Sequence, residues 1–226
     1  MTSGTFADRS ALVRIGASVR ARLAEDPAVY KVPVDSAEIF AVSDFLGRDE
    51  CEHLITMIDS VARPSSVFEE VYQEAFRTSY SGDVDGEDSF VRMIERRLSD
   101  LLGIDLAWGE RFQGQRYHPG QEFKAHWDWF DTGARYWTDE VRRGGQRSWT
   151  AMAYLNEVEE GGITEFTRIG ATITPEPGLL VLWNNATPDG RPNPDVMHAA
   201  LPVIRGVKYV ITKWFRTRAW LSLIHI

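Results

Sequence analysis

The sequence predicts an α+β fold with a mainly β core, a jelly roll carrying supporting helices from its N-terminal half. Three observations point there. Apolar residues in the first hundred positions recur every three or four residues, the period of a helix with one buried face. From Glu110 onward the pattern changes to short runs rich in Val, Ile, Thr, Tyr and Trp, divided by turn residues. Those runs follow one another at short spacing, which favours a double-sheet jelly roll or barrel over βαβ units.

In chain order, Leu12, Ile15, Val19 and Leu23 make one apolar face, with Arg14, Arg20 and Arg22 on the other. A second helix is predicted over about 49–62, opened by acidic residues and burying Cys51, Leu54, Ile55 and Ile58. A third covers about 88–102, with Phe90, Ile94, Leu98 and Leu101 inward and Gly103 as its stop. Between the last two, FRTSYSGDVDGED reads as a polar loop punctuated by glycine. The strands are expected in RFQGQRYH, EFKAHWDWF, SWTAMAYL, ATITP, GLLVLWN, VMHAAL and VKYVITKWF. One domain is expected over 1–226: helical support and a substrate loop in 1–109, the β core in 110–216, a tail in 217–226.

Composition narrows the function. The chain has 226 residues, 43% hydrophobic and 26% charged, which excludes disordered, collagen-like and coiled-coil classes. A net charge of -8 supplies no basic surface for nucleic acid or an anionic membrane, so the expected partner is a peptide, protein or small-molecule substrate. The lone cysteine, Cys51, removes a disulfide framework and a thiolate metal site, and its helical position suits core packing. TSGTFADRSALVRIG, after Met1, lacks the apolar run of a secretory leader, and no stretch approaches about 18 uninterrupted apolar residues. A cytoplasmic location is the expectation.

Two of the five histidines stand in informative places. His126 and Asp128 are two residues apart in a predicted strand, so both side chains leave one face. His198 lies in another predicted strand, 72 positions later. Two imidazoles and one carboxylate on one face of an octahedron leave three positions open, the arrangement of non-haem Fe(II) oxygenases. Alone, H-x-D is a common pattern, and a strand histidine equally fits a hydrogen-bonded core residue. Lys208 adds weight, because an ammonium in an otherwise apolar strand is expensive to bury unless it meets an anion. Lys213, in the same strand, is expected to reach solvent along its stem. Tyr117 and Tyr154 supply phenols that would suit a dicarboxylate with one distal carboxylate to neutralise.

Several spaced segments, in order, carry a resemblance: YHPGQEFKAHWDWFD, GGQRSWTAMAYLNEVEEGGITEF, PEPGLLVLWNN and NPDVMHAALPVIRGVKYVITKWFR. Together they closely resemble the prolyl 4-hydroxylase-like branch of the 2-oxoglutarate- and Fe(II)-dependent dioxygenases, over about 110–216, with FRTSYSGD extending the match upstream. The resemblance implies a double-stranded β-helix, cupin-like in form, with Fe(II) as cofactor, 2-oxoglutarate and O2 as cosubstrates, and ascorbate as a candidate reductant. It implies hydroxylation of a peptidyl prolyl residue, with succinate and CO2 as coproducts. Position by position, it makes His126, Asp128 and His198 the iron ligands and Lys208 the partner of the distal carboxylate of 2-oxoglutarate. Tyr117 and Thr164 become its hydrogen-bonding neighbours, and Tyr154 stands near the keto-acid end. Arg147 and Trp214 resemble positions that approach the peptide, and Arg77 heads a loop folded over the substrate. That loop and the segment 131–145 are expected to close over the substrate together.

The chain also departs from the pattern. Phe123 and Ala125 stand where many members read E-Y-K-P-H, so a hydroxyl that would help hold a substrate proline is absent. The stretch after Asp128 is slightly long, and Thr167 replaces a usual proline. A free amino acid or other small molecule is therefore the alternative prime substrate, and a metal-binding jelly-roll sensor without turnover is the alternative class. Lys208 and Tyr117 count against the sensor, and Asp128 counts against halogenation, which needs that carboxylate missing.

Overall fold

The computed structural model describes residues 7–65 and 76–221. Helices α1 (Arg9–Glu25), α2 (Arg48–Val61) and α3 (Ser89–Leu102) form where the apolar periodicity predicts them. Each start is fixed by a carboxylate on orphan backbone donors: Asp8 accepts from the amide of Ala11, Glu50 from Gly47, and Asp88 from Phe90 and Val91. Helix α3 stops at Gly103, whose φ of 67° is left-handed and open to glycine without strain. A short α4 (Trp137–Arg143) lies inside the β half.

The strands are β1 (Val29–Lys31), β2 (Ile39–Val42), β3 (Arg63–Pro64), β4 (Tyr80–Asp83), β5 (Gln113–Tyr117), β6 (Phe123–His126) and β7 (Arg147–Tyr154). They continue with β8 (Glu160–Gly161), β9 (Thr164–Phe166), β10 (Ala171–Ile173), β11 (Leu180–Asn184), β12 (His198–Ala200), β13 (Val203–Arg205) and β14 (Lys208–Arg216). The large sheet runs β1-β2-β11-β7-β14-β5-β4-β3, and a four-stranded sheet runs β10-β9-β12-β6. A two-stranded pair, β13-β8, completes the antiparallel double-stranded β-helix.

Period-two alternation divides the large sheet between two cores. Trp149, Ala151 and Ala153 of β7, with Ile211 and Phe215 of β14, face the helices and pack with Leu23, Leu54, Ile58 and Leu98. Met152 and Tyr154, with Val181 and Trp183 of β11 and Val210 of β14, face the barrel interior. Gly114 of β5 lies against α2, and a Cβ there would collide with the Ile58 side chain. Gly114→Ala is expected to cost about 1–3 kcal/mol. A chemical-denaturation midpoint equal to the parent's would mean that α2 can give way.

Some sequence expectations are corrected. The first half is not purely helical, since β1, β2 and β4 belong to the large sheet. FRTSYSGDVDGED is not a free loop: Tyr80–Asp83 pairs with β5 on one side and β3 on the other. Nor is 131–145 an unanchored cover, because it contains α4, with Trp137 and Glu140 buried and Glu140 gripped by Arg216. Lys213 does not reach solvent. It is 2% exposed on the helix-facing side and its Nζ donates to Glu95 of α3 and the Glu110 carbonyl, both at 2.6 Å. In α3 the fully buried positions include Val91 and Leu102, with Phe90 and Leu101 packed at the margin. Of the tail, 222–226 lies outside the described residues.

Candidate active site

Between the sheets lies a cavity of about 430 Å³. Its large-sheet wall comes from alternate residues of two paired strands: Gln113, Gln115 and Tyr117 of β5, and Lys208, Val210, Thr212 and Trp214 of β14. The opposite wall carries His126, His198 and Thr164.

His126 and His198 are directly paired across β6 and β12, with ring centroids 4.3 Å apart. Asp128 follows just beyond the end of β6. One ligand atom from each of the three lies within 4.8 Å of the others. Each imidazole is anchored the same way. His126 Nδ1 donates to the Lys124 carbonyl at 2.8 Å, and His198 Nδ1 to the Val196 carbonyl at 3.0 Å. A carbonyl only accepts, so these bonds place the proton on Nδ1 and leave Nε2 with a free lone pair. Phe123 stacks on His126 at 3.5 Å, and Trp183 meets His198 edge-on at 4.7 Å, so both rings are also held by aromatic walls.

Burial, reinforced by the adjoining His198, pushes His126 down to about 3, so its ring is neutral. For Asp128, burial acts upward, but the imidazoles of His198 and His126, the Arg147 guanidinium and the Thr150 hydroxyl outweigh it and hold the carboxyl below its usual value. Neutral nitrogens and one ionised oxygen, buried and converging, fit a divalent ion such as Fe(II).

Lys208 is 1% exposed and lies across the ladder from Tyr117. Its Nζ donates to the Gly162 carbonyl at 2.7 Å and Thr164 Oγ1 at 3.3 Å, with the Tyr117 and Tyr154 rings 5.5 and 5.4 Å away. No carboxylate pairs with it among the described residues, and desolvation alone pulls it down to about 7. Tyr117 donates to Gln115 Oε1 at 2.7 Å, and burial raises the Tyr117 phenol. Tyr154 donates to Thr164 Oγ1 at 2.6 Å and stands behind that residue rather than in the cavity wall.

Among the substrate positions, Trp214 and Arg77 line the cavity and Arg147 does not. Arg77 lies 4.7 Å over the Phe123 ring and donates to Ser79 Oγ and Gln113 Oε1. Arg147 is held bidentately by Glu110 at 2.7 and 2.8 Å, between the rings of Trp214 and Phe130. It supports Trp214 from behind. Sequence reasoning missed Glu110, Gln113, Gln115, Trp183, Thr150 and Asn185. The two glutamines alternate with Tyr117, so period two from that residue would have found them.

The model of the 2OG-Fe(II) oxygenase superfamily matches residues 112–216, which contain the three metal-fitting residues and Lys208. Within that class the relatives are specific. Prolyl 4-hydroxylase 5 of Arabidopsis thaliana is 32% identical over 202 residues, covering 76% of this chain and 66% of that protein. Probable prolyl 4-hydroxylase 10 of the same plant is 32% identical over 204 residues, covering 78% and 68%. The chain thus spans about two thirds of the length of these plant proteins. The viral collagen prolyl hydroxylase of Paramecium bursaria Chlorella virus-1, solved as a 2OG complex, superposes with a TM-score of 0.62 at 26% identity, covering 79% of this chain and 95% of that one. This chain belongs to the prolyl 4-hydroxylase family of Fe(II)- and 2-oxoglutarate-dependent dioxygenases.

Proposed function

We propose that the protein hydroxylates a prolyl residue within a peptide, consuming 2-oxoglutarate and O2 and releasing succinate and CO2. The observation that carries this is one cavity holding both the His126–Asp128–His198 cluster and a buried ammonium, Lys208, that has no carboxylate of its own. The names of the relatives supply the prolyl assignment. Incubation with Fe(II), 2-oxoglutarate and a library of proline-containing peptides tests it, with a gain of one oxygen on proline as the expected result. Oxidation of a free amino acid with no peptide product would overturn it.

His126, Asp128 and His198 would hold the ion. Bound there, ferrous iron supplies the redox chemistry with O2 that couples 2-oxoglutarate decarboxylation to insertion of oxygen into a C–H bond. The protein's own part is orientation. Lys208 takes the distal carboxylate, with Thr164 and Tyr117 offering hydroxyls on either side. Val210, Trp183 and Phe123 keep the cavity apolar around the imidazoles, and the flat face of Trp214 suits a pyrrolidine ring.

A free amino acid or other small molecule is the second reading, favoured by Arg77. Its guanidinium lines the cavity and its hydrogen bonds go to neutral Ser79 and Gln113, so it would welcome a substrate carboxylate.

Lys208 also sets a pH dependence. At about 7 without cosubstrate, the ammonium is largely discharged by pH 8.5, whereas a facing carboxylate favours the charged form. Affinity for 2-oxoglutarate is therefore full below pH 7 and falls above it, by at most about tenfold per pH unit, with proton uptake on binding. Calorimetry on Mn(II)-loaded protein in buffers of different ionisation heat reads both effects. A flat Kd from pH 6.5 to 8.5 would count against this role for Lys208.

A further inference from the structure

The three metal-fitting residues are not held alike. The imidazoles are fixed by their ladder positions and by carbonyls two residues upstream. Asp128 sits in a bend past the end of β6 and has no ladder partner, so its carboxylate must be oriented from elsewhere. We propose that Thr150 and Asn185 are positioning residues for that carboxylate, a relay that fixes its rotation for the ion; this rests on the metal reading of His126, Asp128 and His198.

Thr150 stands on β7 directly between Trp183 of β11 and Trp214 of β14, so its side chain shares the cavity-facing row of the large sheet. It is fully buried, and its hydroxyl donates to Asp128 Oδ2 at 2.8 Å, an oxygen 3.9 Å from His198 Nε2. A hydroxyl has one proton, and its direction is decided by what else the oxygen meets. Here Asn185 Nδ2 donates to Thr150 Oγ1 at 2.9 Å, which occupies its acceptor side and aims the proton at Asp128. With the amide reversed, Thr150 would face two acceptors with one proton.

Asn185 is itself clamped. Its backbone amide donates to the Ser148 carbonyl at 2.8 Å, and its carbonyl accepts from Asn193 at 3.0 Å. Its buried Oδ1 has no partner among the described residues, so the orientation that serves Thr150 leaves a polar atom unmet. The bend is pinned by Gln146, which accepts from the Phe130 amide and donates to the Phe130 carbonyl, both at 2.9 Å. The remaining freedom of Asp128 is rotation of its side chain, and Thr150 removes it. Partners of this kind are worth about 10- to 100-fold in metal affinity.

Co(II) titration of the metal-free protein, followed by visible absorption, tests the relay, with the metal-free melting temperature as a folding control. Thr150→Val keeps the shape and loses the hydroxyl. It is expected to weaken Co(II) by about 10- to 100-fold and to alter the absorption of the bound ion. Thr150→Ser restores the hydroxyl and should restore both. Asn185→Leu should shift affinity in the same direction as Thr150→Val, because the rotor is freed. If the parent fails to bind Co(II), the metal reading itself is wrong. If the parent binds and Thr150→Val matches it in affinity and spectrum, the relay is overturned. Equal weakness in Thr150→Ser and Thr150→Val also overturns it, since packing rather than the hydroxyl would be at work. Should Thr150→Val not fold, Asn185→Leu decides: unchanged Co(II) affinity overturns the proposal.

Discussion

Alanine at Asp128 is expected to abolish 2-oxoglutarate turnover and to weaken Mn(II) or Fe(II) binding by more than the roughly 100-fold that loss of a supporting partner produces. Two neutral imidazoles alone give an incoming dication no compensating charge in a cavity that excludes water. The metal-free fold should tolerate the change. Asp128 is desolvated, so its removal relieves a buried charge even as Thr150 loses an acceptor worth about 1 kcal/mol. Calorimetric titration, succinate release and a thermal melt separate these effects. Full activity with stoichiometric iron in this variant would remove Asp128 from the site.

The second large effect belongs to Lys208. Lys208→Ala should weaken 2-oxoglutarate binding by about 2–4 kcal/mol, or roughly 30- to 1,000-fold, the scale for a desolvated charge pair losing one partner. Lys208→Arg should fall between, because the Gly162 carbonyl, Thr164 and two tyrosine rings leave a pocket shaped for a point charge rather than a planar fork. Lys208→Met carries the opposite stability sign: it removes a buried, unpaired cation and should raise the melting temperature of cosubstrate-free protein while 2-oxoglutarate binding collapses. An unchanged Kd in Lys208→Ala would redirect attention to Arg77, the other cation lining the cavity. Arg216 is committed elsewhere, between Glu110 and Glu140.

What could be read from the sequence was local. The three long helices follow from apolar spacing and their capping residues, and His126, Asp128 and Lys208 follow from strand alternation and the cost of burying charge. What escaped depends on distant partners. The four residues of β2 are too few to show a period and become a strand by pairing with β11, where Val42 meets Leu180. Tyr80–Asp83 has little strand propensity and is recruited by β5. Lys213 looks like a solvent-seeking lysine until α3 brings Glu95 to it, and Arg147 looks free for substrate until Glu110 takes both edges of its guanidinium. The Thr150–Asn185 pair was invisible for the same reason.

The division of the site between two sheets has a kinetic consequence. The metal-fitting histidines belong to the four-stranded sheet and Lys208 to the eight-stranded one, whose pairing of β2 with β11 closes a loop of most of the chain. Such non-local pairing places folding in the milliseconds-to-seconds regime of high-contact-order β proteins. His126 and His198 become neighbours only when β6 and β12 align. The nascent chain therefore offers a divalent ion scattered single ligands, and selective capture waits for the barrel to close.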